Sequence, residues 1–280
     1  MTMKKLLKAI LPKPILNTVR DVRDCGRLAC VGKLEFNPAN LLQQGTFNLN
    51  FIFNSKTFES GWKEDHAAIS DLFGDDDRFG GINPGDRRAL YYLIRAMRSR
   101  NVLEVGTHIG ASTLYIARAL KNNGDGSVTT VDIADVNAGD GAWRKVGLPI
   151  PPRDFADKLG CRGPINFVTQ ASLDFINKTD KKFDFIFLDG DHAARTVYRE
   201  VAAALRILNP GGVILLHDFY PEGKALFPDN NVISGPFLAL SRIIKESPGI
   251  AVQPLGDLPW ETKQGVHATS LALLTKSEPS

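Results

Sequence analysis

The stretch that most constrains the fold runs from Asn101 to Ile133. It opens with an apolar run, NVLEV, turns through Gly106 and Gly110, and enters a helical pattern at Ala111, Ser112 and Thr113. A second strand-like run, Ser127–Ile133, follows and carries Asp132 near its end. Strand, helix and strand in that order belong to a parallel sheet with crossover helices. The turn also points to a use. Glycine lets a ligand lie against bare backbone N–H groups at a helix N-terminus. An acid ending the next strand can hold the two hydroxyls of a ribose. Residues Gly106, Thr107, Gly110 and Ser112 on the turn, with Asp132 and Ile133, therefore form a candidate site for a nucleoside-containing cofactor.

Glycine spacing separates the cofactors. A dinucleotide fold favours G-x-G-x-x-G, which seats a pyrophosphate on the helix. Here the turn is Gly106-Thr-His-Ile-Gly110, and Glu104 stands two residues before it. A carboxylate there would repel a pyrophosphate and would suit an amino group. S-adenosylmethionine has a ribose, an adenine, an amino acid and a sulfonium, and no phosphate, so it fits these residues better.

The remaining chain extends the alternation. A helix opens at Pro84 and carries Leu90, Leu93, Ile94 and Met97 on one face. After Ile133, strands are expected at 165–170, 183–189 and 212–218, with helices at 194–208 and 236–246. Two last strands, at 251–255 and 270–275, have no helical pattern between them and are expected to pair antiparallel. The expected fold is α/β: a Rossmann-like, doubly wound, mostly parallel sheet with a terminal antiparallel strand pair and an N-terminal cap. Residues 81–280 form the sheet domain. Residues 1–80 read as a cap or oligomerisation segment, rich in aromatics (Phe47, Phe51, Phe53, Phe58, Trp62) and ending in the acidic run Asp75–Asp77. That segment makes a homo-oligomer plausible. The connection 134–164, with Trp143 and the stiff run 148–152, has the length of a lid or substrate loop.

Composition excludes several classes. A net charge of +3 with no basic stripe gives no argument for nucleic acid. Three cysteines, Cys25, Cys30 and Cys161, without a C-x-x-C pair fit neither a disulfide framework nor a zinc site, and suit a reducing cytoplasm. No apolar run approaches the ~20 residues that span a membrane. Lys8 and Pro12 interrupt the first apolar run, so it reads poorly as a signal peptide. The pattern Lys4–Leu11 is a short basic amphipathic helix.

The chemistry is expected between Phe183 and Asp218. Two apolar runs end in Asp189-Gly-Asp191-His192 and in His217-Asp218. Polar groups closing buried strands are costly unless they meet partners. In an open α/β sheet these ends face the ligand crevice. If the two strands are neighbours, Asp189, His217 and Asp218 suit a divalent cation such as Mg²⁺ or Mn²⁺. The ion would lower the pKa of a substrate hydroxyl, and His192, paired with Asp189, would take its proton.

Together, EVGTHIGAST, VTTVDIAD, FDFIFLDGDH and LNPGGVILLHD resemble the class I S-adenosylmethionine-dependent methyltransferases. They look most like the small-molecule O-methyltransferases of natural-product and sugar-modifying pathways. The resemblance covers about residues 83 to 276. It implies that Glu104, Gly106, Gly110 and Asp132 bind cofactor, that Ala171 and Ser172 contact the adenine, and that Asp189 also serves the cofactor site. It further implies a small-molecule hydroxyl acceptor: a sugar, a polyketide or a phenol. His217 stands where the metal-dependent members usually carry an acid. Two alternatives stay open: an NAD(P)-dependent oxidoreductase, disfavoured because Asp132 lies further from Gly106 than the ~20 residues expected, and a non-catalytic cofactor-binding scaffold.

Overall fold

A computed structural model describes residues 13–74 and 81–278. The expected helix at Lys4–Leu11 and the acidic run Asp75–Asp77 lie outside the described residues. Seven strands form one sheet: β1 (Asn101–Val105), β2 (Ser127–Asp132), β3 (Ile165–Thr169), β4 (Phe183–Leu188), β5 (Leu208–Leu216), β6 (Ile250–Pro254) and β7 (Ala272–Lys276). Their order is β3-β2-β1-β4-β5-β7-β6. Strands β1 to β5 run parallel, and β7 enters antiparallel between β5 and β6. This is the doubly wound sheet with a terminal antiparallel pair that the alternation of patterns implied.

Strand residues alternate between two cores because side chains alternate across a pleat. Val102, Phe185, Phe187, Val213 and Leu215 face one core. Leu103, Ile186, Leu188, Ile214 and Leu216 face the other. The first core is closed by α2 (Leu49–Phe53), α3 (Lys56–Phe73), α4 (Pro84–Met97), α5 (Ala111–Asn123), α6 (Ala142–Lys145) and α7 (Pro152–Lys158). The second is closed by α1 (Lys13–Ala29), α8 (Ser172–Lys178), α9 (Ala194–Ile207) and α10 (Gly235–Glu246). Each large apolar side chain so buried contributes roughly 1.5–3 kcal/mol. No helix among the described residues is long and apolar enough to cross a membrane.

One expectation changes here. The connection 134–164 is not an open loop. It carries α6 and α7, with Trp143 and Phe155 buried against the first core. Pro152 starts α7 instead of breaking it, since a proline at the first helical turn lacks only an N–H that would be unpaired anyway. The aromatics of the N-terminal segment divide: Phe53 and Trp62 are buried, Phe47 and Phe58 pack at the core edge, and Phe51 is exposed.

Helix α3 is fastened by a buried polar cluster. Asp65, 1% exposed, accepts from Arg118 Nε at 2.5 Å, Tyr91 Oη at 2.9 Å and Asn122 Nδ2 at 2.7 Å. Trp62 stacks on Tyr115 with ring centroids 4.8 Å apart. Removing one partner of a buried ion pair strands the other charge, at a cost of about 3–5 kcal/mol. Asp65→Ala is therefore expected to lose stability of that order in urea unfolding. A loss below about 1 kcal/mol would show that α3 is held by apolar packing alone.

Candidate active site

A cavity of about 820 Å³ lies at the carboxyl ends of β1, β2, β4 and β5. That is where an open α/β sheet leaves a crevice between its helices. Most of the expected residues line it: Gly106, Thr107, Ser112, Asp132, Ile133, Ala171, Ser172, Asp189, His192, His217 and Asp218.

The β1 turn shapes one half. Gly106 has φ +96°, and a Cβ there would lie 2.2 Å from the carbonyl oxygen of Asp189. Only glycine lets the β1 and β4 ends close together at this point. Asp132 is fixed by two backbone donors, His108 N at 2.9 Å on Oδ2 and Ala134 N at 3.0 Å on Oδ1. Each oxygen keeps a lone pair for a ligand hydroxyl. Next to it Ile133 is 79% exposed, an apolar surface presented to the cavity.

Two expected cofactor residues stand off the cavity lining. Glu104 does not line the cavity. It is fully buried beneath the turn, where Oε2 accepts from Thr113 Oγ1 at 2.5 Å and Thr130 Oγ1 at 2.6 Å. Burial pushes its carboxyl up to about 7 against those hydroxyl hydrogen bonds. It braces β1, β2 and α5 from below. Gly110 is also off the cavity wall. At φ +81° it caps α5, and a Cβ would meet Pro152 Cβ at 2.8 Å. The left-handed cap and the close approach of α7 each favour glycine here.

The other half is built by register. Phe187 pairs with Leu215 and Leu188 with Leu216, so Asp189 and His217 emerge side by side on the face that meets α4. His217 Nδ1 lies 2.9 Å from Asp189 Oδ1 and 3.7 Å from Asp218 Oδ1. Its Nε2 lies 3.4 Å from Asp86 Oδ2, an ion-pair contact longer than a good hydrogen bond. Burial alone would drive the ring neutral, but Asp189, Asp218 and Asp86 outweigh it and raise its pKa well above the ordinary histidine range. Both ring nitrogens face carboxylates, and His217, expected as a metal ligand, is not among the donors that converge. The donors that converge are Asp189, His192 and Asp218, each offering one atom within 4.8 Å of the others. His192 is a third exposed, with Nε2 3.4 Å from Asp218 Oδ2.

Several residues of the site were not anticipated, one of them behind the wall and the rest on it. Asp86, fully buried, sits in the first turn of α4, where Asn83 Oδ1 accepts from Asp86 N and Asn83 Nδ2 donates to Asp86 Oδ2. The Asn-Pro-Gly-Asp pattern is a capping signal, but nothing in it shows that the helix start reaches β5. Tyr220, Phe227, Asn231, Ile233 and Lys263 come from connections after β5 and β6. None of residues 134–164, expected as a lid, lines the cavity.

Residues 103–219 match a family model described as a methyltransferase domain. A caffeoyl-CoA O-methyltransferase of Populus kitakamiensis is 34% identical over 220 residues, covering 75% of this chain and 86% of that protein. A catechol O-methyltransferase of Niastella koreensis is 28% identical over 198 residues, covering 62% and 78%. Among solved structures, an O-methyltransferase from Bacillus cereus in complex with SAH superposes with TM-score 0.51 at 22% identity, covering 80% of this chain and 92% of that one. TomG from Streptomyces achromogenes, in complex with SAM, gives 0.53 at 17% identity, covering 80% and 91%. At such identities these likenesses speak to fold.

Ser172 lines the cavity but turns its hydroxyl to Glu200 Oε1, 2.5 Å away on α9. Burial pushes the Glu200 carboxyl up to about 7, with the Ser172 hydrogen bond opposing and the Asp191 charge assisting. An acid raised on folding binds more protons in the folded state between the unfolded and folded pKa values, here about 4.5 and 7. Its stability contribution therefore falls as pH rises through that window. Glu200→Gln keeps an acceptor for Ser172 and removes the titration. The variant is expected to match the parent near pH 4.5 and to exceed it above pH 7 by on the order of 3 kcal/mol, in paired urea titrations. A difference that does not change with pH would rule out this buried titration.

Proposed function

Because the chain belongs to the class I S-adenosylmethionine-dependent O-methyltransferases, we propose that its cavity seats that cofactor across Gly106, Asp132 and Ala171 and presents a small-molecule hydroxyl to His192. The observation that carries this reading is one continuous cavity joining Asp132 to His192. Its charge agrees. Asp132, Asp189, Asp191 and Asp218 line it, and Lys263 is the one Lys or Arg among the described lining residues. Such a surface attracts an ammonium and a sulfonium and repels a pyrophosphate, which disfavours a dinucleotide. Asp132 is the ribose acceptor, Ile133 an apolar face for the adenine, and Ala171 and Ser172 border it.

S-adenosylmethionine supplies an activated methyl group, so the chain must supply alignment and a proton acceptor. His192 Nε2 takes the proton of the acceptor hydroxyl, and Asp218 stabilises the imidazolium that forms. Asp189 is held by the His217 ring, whose Nδ1 lies 2.9 Å from its Oδ1. General-base help of this kind is worth roughly 10²–10⁴-fold. A divalent cation such as Mg²⁺ or Mn²⁺ would be held by Asp189, His192 and Asp218 and would polarise that hydroxyl as a Lewis acid. Ligation would occupy His192, so the ion and the free His192 base are separable by experiment.

Calorimetry is expected to show S-adenosylmethionine binding, weakened at least about tenfold in Asp132→Ala by loss of a charged hydrogen-bond acceptor. Unchanged affinity in the variant would remove Asp132 from the ribose. His192→Ala is expected to lower turnover on a catechol by about 10²–10⁴-fold, with cofactor affinity preserved. Full activity would exclude His192 as base. Turnover abolished by a chelator and restored by Mg²⁺ or Mn²⁺ would add the cation to the site; turnover indifferent to both would leave His192 acting without it.

A further inference from the structure

Beyond Asp218 the cavity lining continues as a chain of side-chain contacts. Tyr220, 3% exposed, follows Asp218 by two residues. Its ring meets Phe227 edge to face, with centroids 6.3 Å apart. Lys263 Nζ lies 5.2 Å from the centroid of the Phe227 ring and 3.3 Å from Asp229 Oδ2. The cavity lining thus includes His192, two aromatic rings in contact with one another and a cation over one of them.

The cation is fixed in place. Lys263 begins a two-residue hairpin turn, with Val266 N donating to Lys263 O at 3.2 Å. Gln264 at φ +56° and Gly265 at φ +79° give the mirror-image turn that suits tight hairpins. Thr262 Oγ1 donates to the Ala268 carbonyl at 2.5 Å, and Trp260 Nε1 to the Gly85 carbonyl at 2.9 Å, which pins the hairpin to the start of α4. A Cβ at Gly85 would lie 2.5 Å from Thr262 Cα, so the contact is close. Lys263, paired with Asp229, is the one Lys or Arg among the described lining residues of a cavity whose other charged lining groups are carboxylates and histidines.

Resting on the methyltransferase reading, we propose that Lys263 recognises a carboxylate on an aromatic acceptor, so that the preferred substrate is a phenolic acid held with its hydroxyl at His192 and its carboxylate at Lys263. An ammonium has three N–H donors, and Asp229 engages one edge of it. A singly charged carboxylate can share the ammonium with Asp229. A dianionic phosphate would meet Asp229 and Asp218 with one counter-charge between them, so the carboxylate is the better match. The aromatic faces of Tyr220 and Phe227 would stack or edge the phenol ring.

The test compares protocatechuate with its neutral counterpart, protocatechuyl alcohol. Binding is measured by calorimetry on the full chain saturated with S-adenosylhomocysteine. The expected result is that the acid binds about tenfold tighter than the alcohol, as a charge-assisted contact requires. Lys263→Gln should collapse that preference to within about twofold, and Lys263→Arg should keep it. Equal binding of the two probes by the parent protein, a preference that survives in Lys263→Gln, or no binding of either probe would overturn the assignment. Failure of the methyltransferase reading shows separately, as no affinity for S-adenosylmethionine and no methyl transfer to the alcohol.

Discussion

The line Asp86–His217–Asp189 is the contact on which the cavity depends. It joins the first turn of α4 to the ends of β5 and β4, with His217 2.9 Å from Asp189 and 3.4 Å from Asp86. A buried imidazolium is tolerable only while its carboxylates stay in place, because an unpaired charge in that setting costs several kcal/mol. Such a cluster is weak evidence for stability and good evidence for position. It demands that α4 approach β5 at one height and that β4 and β5 keep their register. From that position follow the seat of Gly85 against Thr262 and the hairpin that carries Lys263 to the cavity.

Around this line the acidic residues divide into two kinds. Glu104 and Glu200 lie behind the wall, each buried and braced by hydroxyls, each with a carboxyl pushed up to about 7. They can be protonated at neutral pH and so add little negative charge to the cavity. Asp132, Asp189, Asp191 and Asp218 lie on the wall. Backbone donors orient Asp132, and His217 neutralises part of the charge of Asp189 and Asp218. The cavity is thus acidic by selection among its carboxylates, and the selection is made by burial.

The order of the strands and most of the site could be read from residue patterns, because each signal was local. The glycine turn, the acid ending β2 and the two strands closing in Asp-x-x-His and His-Asp need only a period and a neighbour to be recognised. The structure departs from the pattern where a local signal has a distant neighbour. Gly110 looks like a ligand glycine, yet it caps α5 against Pro152 of α7. Glu104 looks like a cofactor contact, yet Thr113 and Thr130 enclose it. The run 148–152 looks like a lid, yet its prolines open a buried helix.

The sequence by itself determined an alternating α/β chain with its polar residues at the carboxyl ends of the strands. Apolar period and glycine placement are short-range properties, and parallel strands can be joined in few ways. Only the tertiary structure decided which histidine is a fixed cation and which faces the acceptor. His192 and His217 are alike in composition and in their acidic neighbours; they differ because α4 brings Asp86 to one of them and solvent reaches the other. It also decided that a lysine from a hairpin 45 residues beyond Asp218 stands in the same cavity. Contacts between segments so far apart depend on how helices and hairpins dock on the sheet, and no local period records that docking.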